Sequence, residues 1–167
     1  MADPAGDTFV DGTNDPITES RADIVRTAAG YGPGGITFTM QVQTPGDPRQ
    51  DKKWSSASTF VDWAVDTNGD GQPDYEIQYS LDAGTLGGDV SRPGDETGAT
   101  LCNVSAATYG ADGYSITVDP ACLGNPGSFS YRTTMYYDTN PKDDNADVAS
   151  DVAPNGGMSF PIARPRP

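Results

Sequence analysis

The sequence predicts an all-β protein, an antiparallel β-sandwich of the jelly-roll type with eight or nine strands. Three observations indicate this class. Apolar and polar residues alternate without interruption from Ile36 to Gln43, as in a strand with one buried face. No stretch of helical length has a convincing 3.6-residue period, and 20 Gly with 14 Pro would interrupt most helices. Short apolar segments separated by Gly, Pro, Asn and Asp are typical of sandwiches.

Eight segments carry the strand pattern in chain order. Each alternates apolar with polar residues or is rich in aromatic and β-branched residues, and turn-forming residues separate nearly all of them. The segments are 24–28, 36–43, 60–65, 75–81, 101–106, 114–118, 131–137 and 158–162. We therefore expect one domain over residues 1–162, followed by a Pro-rich tail over 163–167 that cannot continue a central strand. The gaps 44–58 and 138–158 are too long for hairpins and are candidate functional loops.

The nine residues from Asp66 to Asp74 have the layout of a calcium-binding loop. Oxygen-bearing side chains occupy every second position, and Ca²⁺ takes six to eight oxygen ligands. We expect ligands from Asp66, Asn68, Asp70, the Gln72 carbonyl and Asp74. The EF-hand glutamate is missing, because its position holds Ile77, and the flanking segments predict strands. The loop resembles the D-x-[DN]-x-D-G-x-P-D loops of extracellular proteins such as thrombospondin type 3 repeats. An ordinary turn rich in Asp, Asn and Gly is the alternative.

Acidic residues are concentrated in three segments. The chain has a formal net charge of −14, which argues against binding nucleic acid or an anionic membrane. Residues 3–23 carry six acids and one Arg, residues 66–74 three acids, and residues 138–151 five acids and one Lys. Carboxylates concentrated in this way repel one another unless cations bind between them, so we expect one to three Ca²⁺ ions. The candidates in the third segment are Asp138, Asn140 and Asp147.

The two cysteines, Cys102 and Cys122, have a separation that suits a disulfide. Two free thiols are the alternative on cysteine count alone. Disulfides persist outside the cell, and calcium is present there at millimolar concentration. A disulfide and a calcium site would therefore both indicate an extracellular protein, so we expect a secreted protein. No apolar run of 18 residues is present, and we expect no membrane insertion.

Three pieces of sequence resemble DOMON-like and family 9 carbohydrate-binding-module-like β-sandwiches, which are appended to secreted bacterial enzymes. They are 3–7 with 22–25, the strand 60–66 that runs into an acidic turn, and 136–141 with Asp147 and 151–155. The resemblance implies a structural calcium held by an N-terminal aspartate pair and the aspartate before the next strand. These residues correspond to Asp3, Asp7 and Asp23. The acidic run 11–19 and the loop 66–74 depart from the general pattern.

Catalysis is not expected. The chain has no His, which excludes Ser-His-Asp and Cys-His sites and His-containing zinc sites. Carboxylate pairs for glycoside hydrolysis could be drawn from Asp95 with Glu96 or from Asp62 with Glu76, but 24 acids produce close pairs by chance. A small acid-based hydrolase is therefore only a distant alternative.

Glycan binding would need exposed aromatic rings. Trp54, in a polar loop, is the best candidate platform, and Tyr31 and Tyr109 are weaker ones. A Trp that anchors the loop to the sandwich is the competing interpretation. Trp63 is in phase with Val61 and Val65 and is expected in the core.

The sequence thus predicts an extracellular, calcium-binding accessory or surface module that binds glycan or a protein partner. The first alternative is a structural subunit of a surface layer, filament or particle, with calcium as the stabiliser.

Overall fold

Two antiparallel sheets make up the fold. The structure is a computed structural model that describes residues 1–95, 99–143 and 146–166. Its strands are β1 (Phe9–Val10), β2 (Ile24–Gly32), β3 (Gly35–Val42), β4 (Phe60–Asp66), β5 (Tyr75–Asp82), β6 (Thr85–Ser91), β7 (Cys102–Val104), β8 (Ala107–Gly110), β9 (Gly113–Val118), β10 (Ser128–Asp138), β11 (Val148–Ala153) and β12 (Ile162–Ala163). Two short 3₁₀ helices, Lys52–Ser55 and Pro120–Leu123, lie in the connections.

The larger sheet has the strand order β1-β11-β10-β4-β5-β6-β7, with β12 paired to the end of β10. The smaller sheet has the order β2-β3-β9-β8. This arrangement confirms an all-β architecture of two antiparallel sheets, while the jelly-roll subtype stays a prediction. Because Ala163 belongs to β12, the sandwich extends one residue beyond the expected boundary.

The core lies between the two sheets and is rich in aromatic residues. The alternation noted in the sequence places Ile36, Phe38, Met40 and Val42 of β3 inward, each no more than 2% exposed. Trp63 of β4 is fully buried, and its ring centroid lies 6.0 Å from that of Phe38. Burial of such side chains is the main driving force for bringing the sheets together.

Four of the described strands were not predicted: β1, β6, β8 and β11, of which β6 and β11 are the longest. Strand β6 contains Gly87 and Gly88, and two glycines weaken the sequence pattern of a strand. The packing of the larger sheet nevertheless requires a glycine at position 88. A Cβ on Gly88 would lie 2.8 Å from Ile116 Cδ1 and closer still to the carbonyl oxygen of Gln78. Strand β11 falls within the predicted loop 138–158. Its inward positions are Ala149, Asp151 and Ala153, and an acid among small residues does not resemble a buried face.

Two predicted strands are shorter than expected. Only Ile162 of the predicted strand 158–162 is in a strand, and the predicted strand 101–106 is reduced to β7.

Cys102 and Cys122 form the predicted disulfide. The bond ties β7, at one edge of the larger sheet, to the 3₁₀ helix that follows β9 of the smaller sheet. It therefore links an edge strand of the larger sheet covalently to the connection that leaves the smaller sheet.

Replacing Gly88 by Ala should destabilise the protein by about 2 kcal/mol or more, because the added methyl group meets backbone and a core side chain. Gly30→Ala is the matched control, since a Cβ there has no neighbour within 4 Å, and its effect should stay within about 0.5 kcal/mol. Urea unfolding monitored by tryptophan fluorescence measures both. Equal midpoints for the two variants would contradict the packing argument.

Candidate metal centres

The loop between β4 and β5 is organised by its own side chains. The Asp66 carboxylate accepts hydrogen bonds from the backbone amides of Asn68, Gly69 and Gly71 at 3.0, 2.7 and 2.9 Å. Gly69 and Gly71 have φ of 82° and 83°, a backbone conformation that costs other residues free energy. The two glycines let the chain turn tightly around Asp66, which is only 3% exposed.

The remaining oxygens of this loop continue the pattern. Asn68 Oδ1 accepts from the amide of Asp70 at 2.9 Å, and Asp70 Oδ1 accepts from the amide of Gln72 at 2.8 Å. Asp74 accepts from the amide and the hydroxyl of Thr67, and these bonds lower its pKa. Among the described residues, however, Asp66, Asp70 and Asp74 do not bring one oxygen each within 4.8 Å of one another. Calcium binding by this loop stays a prediction.

A second acidic cluster joins distant parts of the chain. Asp3, Asp7 and Asp151 each offer a carboxylate oxygen, and these oxygens lie within 4.8 Å of one another. Within the described ranges, no other group of three acids or cysteines reaches this proximity. Asp23 lies beside them, since its charge acts on Asp3 and the charge of Asp7 acts on it. We call these four residues the four-aspartate cluster.

The backbone holds the four-aspartate cluster in place. The amide of Asp3 donates to the carbonyl of Val25 at 3.1 Å, which aligns the N-terminal segment with β2. The amide of Gly6 donates to Asp23 Oδ2 at 2.8 Å. Asp151 Oδ2 accepts from the amide of Ile24 at 2.7 Å, so a side chain of the larger sheet binds the first residue of a strand in the smaller sheet. The cluster therefore lies where the N-terminal segment and both sheets meet.

Three carboxylate oxygens in this cluster lack a partner. Asp3 Oδ2, Asp7 Oδ1 and Asp23 Oδ1 are buried and have no hydrogen bond within the described part of the chain. Asp23 as a whole is 3% exposed, and Asp151 is fully buried. Buried carboxylate oxygens are costly without a donor or a cation. The donor set, made only of hard oxygen ligands, suits Ca²⁺ or Mg²⁺ rather than a soft metal.

The pKa values reflect this crowding. Burial, with the charges of Asp7 and Asp23, raises the pKa of Asp3 to about 6. Burial is also the largest cause for Asp151, whose pKa is raised to about 7 with a contribution from Asp7. Burial raises the pKa of Asp23 as well. Without a cation, the folded protein therefore holds protons here that these carboxylates would otherwise lose well below neutral pH.

The resemblance pointed to Asp3, Asp7 and Asp23, and the structure brings these three residues together. It adds Asp151, which was not among the candidate ligands. The available signal was its place in an alternating stretch, two residues from Ala149 and from Ala153, where an acid faces inward. Local patterns cannot show that this strand passes beside the N-terminus.

In the described residues of the third acidic segment, the acids do not gather into a cage. Asp138 is 9% exposed, and its carboxylate accepts from the Ser56 hydroxyl at 2.6 Å and from the Asn140 amide at 2.9 Å. Asp147 contributes its backbone carbonyl, which accepts from the hydroxyl of Thr139 at 2.6 Å. Residues 144 and 145 of this segment lie outside the described residues. Within the described ones, Asp138 and Asp147 belong to no group of three acids that could hold a metal.

Trp54 is not an exposed platform. It is 1% exposed, and its ring centroid lies 5.0 Å from that of Tyr114 and 5.7 Å from that of Tyr79. The loop is held down because Asp51 accepts hydrogen bonds from Arg21 and from the Tyr137 hydroxyl. The structure supports the competing interpretation, in which Trp54 anchors the loop to the sandwich, because the loop folds back and buries its one large apolar side chain.

The two weaker aromatic candidates are half-buried. The Tyr31 hydroxyl donates to the carbonyl of Pro126 at 2.7 Å, and its ring contacts Phe129 edge-on. The ring of Tyr109 lies 5.3 Å from that of Tyr114. Of the acids considered for catalysis, Glu96 lies outside the described residues.

Comparison with protein-family models, with curated proteins and with solved structures found no match to this chain. The resemblance to DOMON-like and family 9 carbohydrate-binding modules therefore stays a hypothesis. In the described ranges, no helix has the length and apolar character needed to cross a membrane.

In the absence of divalent cations, Asp3→Asn should stabilise the protein near pH 8. The pKa of Asp3 in the folded state, about 6, lies above its ordinary value, so the folded state binds the proton more tightly. The free energy of unfolding should then fall as pH rises from about 4 through about 6. This part of the pH dependence should be missing in Asp3→Asn, because the Asn side chain does not titrate. Melting curves over this pH range in a chelator measure it.

Asp82→Asn, which neutralises an exposed carboxylate at the end of β5, is the control and should leave the pH dependence unchanged. A lower melting temperature for Asp3→Asn than for the wild type at about pH 8 would show that the Asp3 charge is well accommodated without a cation.

Proposed function

We propose that this protein is a calcium-binding β-sandwich module that works outside the cell as an accessory or surface module. The observation that carries the proposal is the four-aspartate cluster, in which three buried carboxylate oxygens lack any partner in the described chain. A Ca²⁺ ion would supply charge and coordination to all of them at once. Because Asp23 and Asp151 come from the two different sheets, the ion would act as a structural link.

The extracellular setting is supported by the disulfide, because disulfides persist in oxidising compartments outside the cytosol. Extracellular sites can bind calcium with Kd of about 10⁻⁴ to 10⁻³ M, because the surrounding concentration is millimolar. A charge of −14 would also be partly neutralised when such sites are filled.

The loop Asp66–Asp74 is proposed as a second, more local site. Its hydrogen bonds already place oxygens at alternate positions, and Asp66 is buried at its centre. Closing Asp70 and Asp74 onto an ion would need a rearrangement of short side chains within one hairpin. The four-aspartate cluster, by contrast, gathers its ligands from residues that are far apart in sequence.

An assembly module is the second candidate. The outward positions of the smaller sheet carry mainly small, uncharged residues, among them Ala28, Gly30, Thr37, Thr39 and Thr117. A face with so little charge is unusual on such an acidic chain. Sedimentation analysis with and without calcium separates the two candidates, because an assembly module would associate as its concentration rises.

Calcium should raise the melting temperature relative to a chelator, and Mg²⁺ should replace it poorly because its small octahedral shell suits flexible cages badly. A ligand that binds only the native state adds about 2.7 kcal/mol at a hundredfold excess over Kd. Calorimetric titration counts the ions. Asp7→Ala should remove the four-aspartate site, and Asp70→Ala should remove the loop site, each leaving the other intact.

Asp7→Ala should lose most of the calcium-dependent rise in melting temperature, because the four-aspartate site links both sheets and the loop site does not. Superimposable melting curves in chelator, calcium and magnesium would show that the acidic segments bind no divalent cation, and would end the proposal.

A further inference from the structure

A row of polar side chains crosses the larger sheet on its outer face. In the strand register, one residue from each of five adjacent strands falls in line, and we call this row the polar track: Thr134, Asp62, Gln78, Asp89 and Asn103. Their neighbours along the strands, such as Val61, Trp63 and Ile77, are fully buried in the core. Alternation therefore places the track on the opposite face. At about 4.8 Å between strands, the track is about 19 Å long.

The fold does not use the hydrogen-bonding groups of this track. Within the described part of the chain, the side chains of Asp62, Gln78, Asp89 and Asn103 make no hydrogen bond, and none of them has a further contact left unstated. The fold does use the carboxylates of Asp51 and Asp138. Asp51 accepts from Tyr137 and Arg21, and Asp138 accepts from Ser56. The track thus keeps free donors and acceptors at regular spacing.

Two cavities of about 560 and 490 Å³ lie along the β5–β7 half of the track. Both are lined by Asp89 and Thr100, so they adjoin one another. Gln78 lines the first cavity and Asn103 the second. Gln78, Asp89 and Asn103 therefore line a groove rather than a smooth surface.

An aromatic pair flanks the other half of the track. Phe60 and Tyr136 occupy the next outward positions on β4 and β10, and their rings stack with centroids 4.6 Å apart. Both residues are half-buried, so part of this apolar surface is exposed beside Asp62. Apolar ring surface next to hydrogen-bonding groups suits a ligand that has both C–H and O–H surface.

Geometry and charge bear on the other ligand classes. The carboxylates of the track and its cavities, among them Asp62, Glu76 and Asp89, form no group of three described acids that could hold a metal. Arg132, whose charge acts on Asp62, and Arg92, which lines the first cavity, offset part of the negative charge here, and a cationic peptide is left to the test below. The acidic balance of the chain disfavours a polyanion.

The protonation state of Asp62 agrees with this reasoning. Burial, with the charges of Glu76 and Asp89 and against that of Arg132, raises the pKa of the Asp62 carboxyl to about 8. Near neutral pH the group can therefore donate as well as accept a hydrogen bond, as the amides of Gln78 and Asn103 can.

We propose that the polar track is a binding site for a neutral polysaccharide lying across the strands. Sugar hydroxyls both donate and accept, which matches a track of amide, hydroxyl and carboxyl groups. The aromatic pair would contact the C–H face of a sugar ring. The inference rests on the proposed function, because it names the ligand class of the proposed module.

Native affinity electrophoresis tests the site with three neutral probes: a mixed-linkage β-glucan, an arabinoxylan and a galactomannan. At least one should retard the wild-type protein in calcium. The double variant Gln78→Ala with Asp89→Ala should bind that probe about tenfold more weakly or worse, as expected for the loss of two hydrogen-bonding groups. Polylysine runs in a parallel gel.

The matched control is Gln41→Ala with Asp112→Ala, which removes the same residue types from the smaller sheet and its β8–β9 turn. It should bind like the wild type. Retardation by none of the three polysaccharides, equal loss in both double variants, or retardation by polylysine alone would each overturn the inference.

The calcium-dependent rise in melting temperature is measured on the same three proteins. If it is present in all of them while no polysaccharide binds, the track proposal fails and the calcium module stands. If it is missing from the wild type, the proposed function fails whatever the gels show.

Discussion

Repulsion among buried carboxylates at the junction of the two sheets is the constraint on which the rest of this structure depends. Asp151 accepts a hydrogen bond from the backbone amide of Ile24 across the sandwich, and this contact places a carboxyl group in the interior. The N-terminal segment then places Asp3 and Asp7 against it. Protons or a divalent ion must compensate, because apolar packing alone cannot remove the cost of burying charge. The aromatic core can hold the sheets together, but the stability of the junction follows solution conditions.

The fold class could be predicted because local patterns determine much of it. Residues 36–42 alternate apolar and polar side chains, and the two strands that flank the loop 66–74 are rich in aromatic and β-branched residues. The elements that were missed depend on distant neighbours. Position 88 needs glycine because a carbonyl on β5 and a side chain on β9 lie too close for a Cβ. Asp151 is a candidate ligand only because the N-terminal segment places Asp3 and Asp7 beside it. The sequence left two interpretations of Trp54 open, because its loop is polar and the buried surface that it fills is created by β5 and β9.

The two proposed metal sites differ in how they depend on the fold. The loop from Asp66 to Asp74 draws all its oxygens from one hairpin, so its sequence alone indicated it and its conformation is largely set by its own hydrogen bonds. The four-aspartate cluster exists only when the N-terminal segment, β2 and β11 have come together. An ion at the first site would act within one hairpin, whereas an ion at the second would act on the tertiary structure, because the unfolded chain has no such site.

The positions of the first and last strands determine how the molecule would respond to tension. At the C-terminal end, β12 pairs with β10 of the larger sheet, so a force applied there enters that sheet. At the N-terminal end, Ala2 and Asp3 are bonded to β2 of the smaller sheet before β1 pairs with β11 of the larger one, so a force applied there meets both sheets. The disulfide lies at β7, outside that route, and would shield only the segment between its cysteines from extension. The load at the N-terminal end falls on the contacts around Asp3 and Asp7. A divalent ion held there would serve as a mechanical clamp, and the resistance of the domain to pulling would vary with the calcium concentration around it.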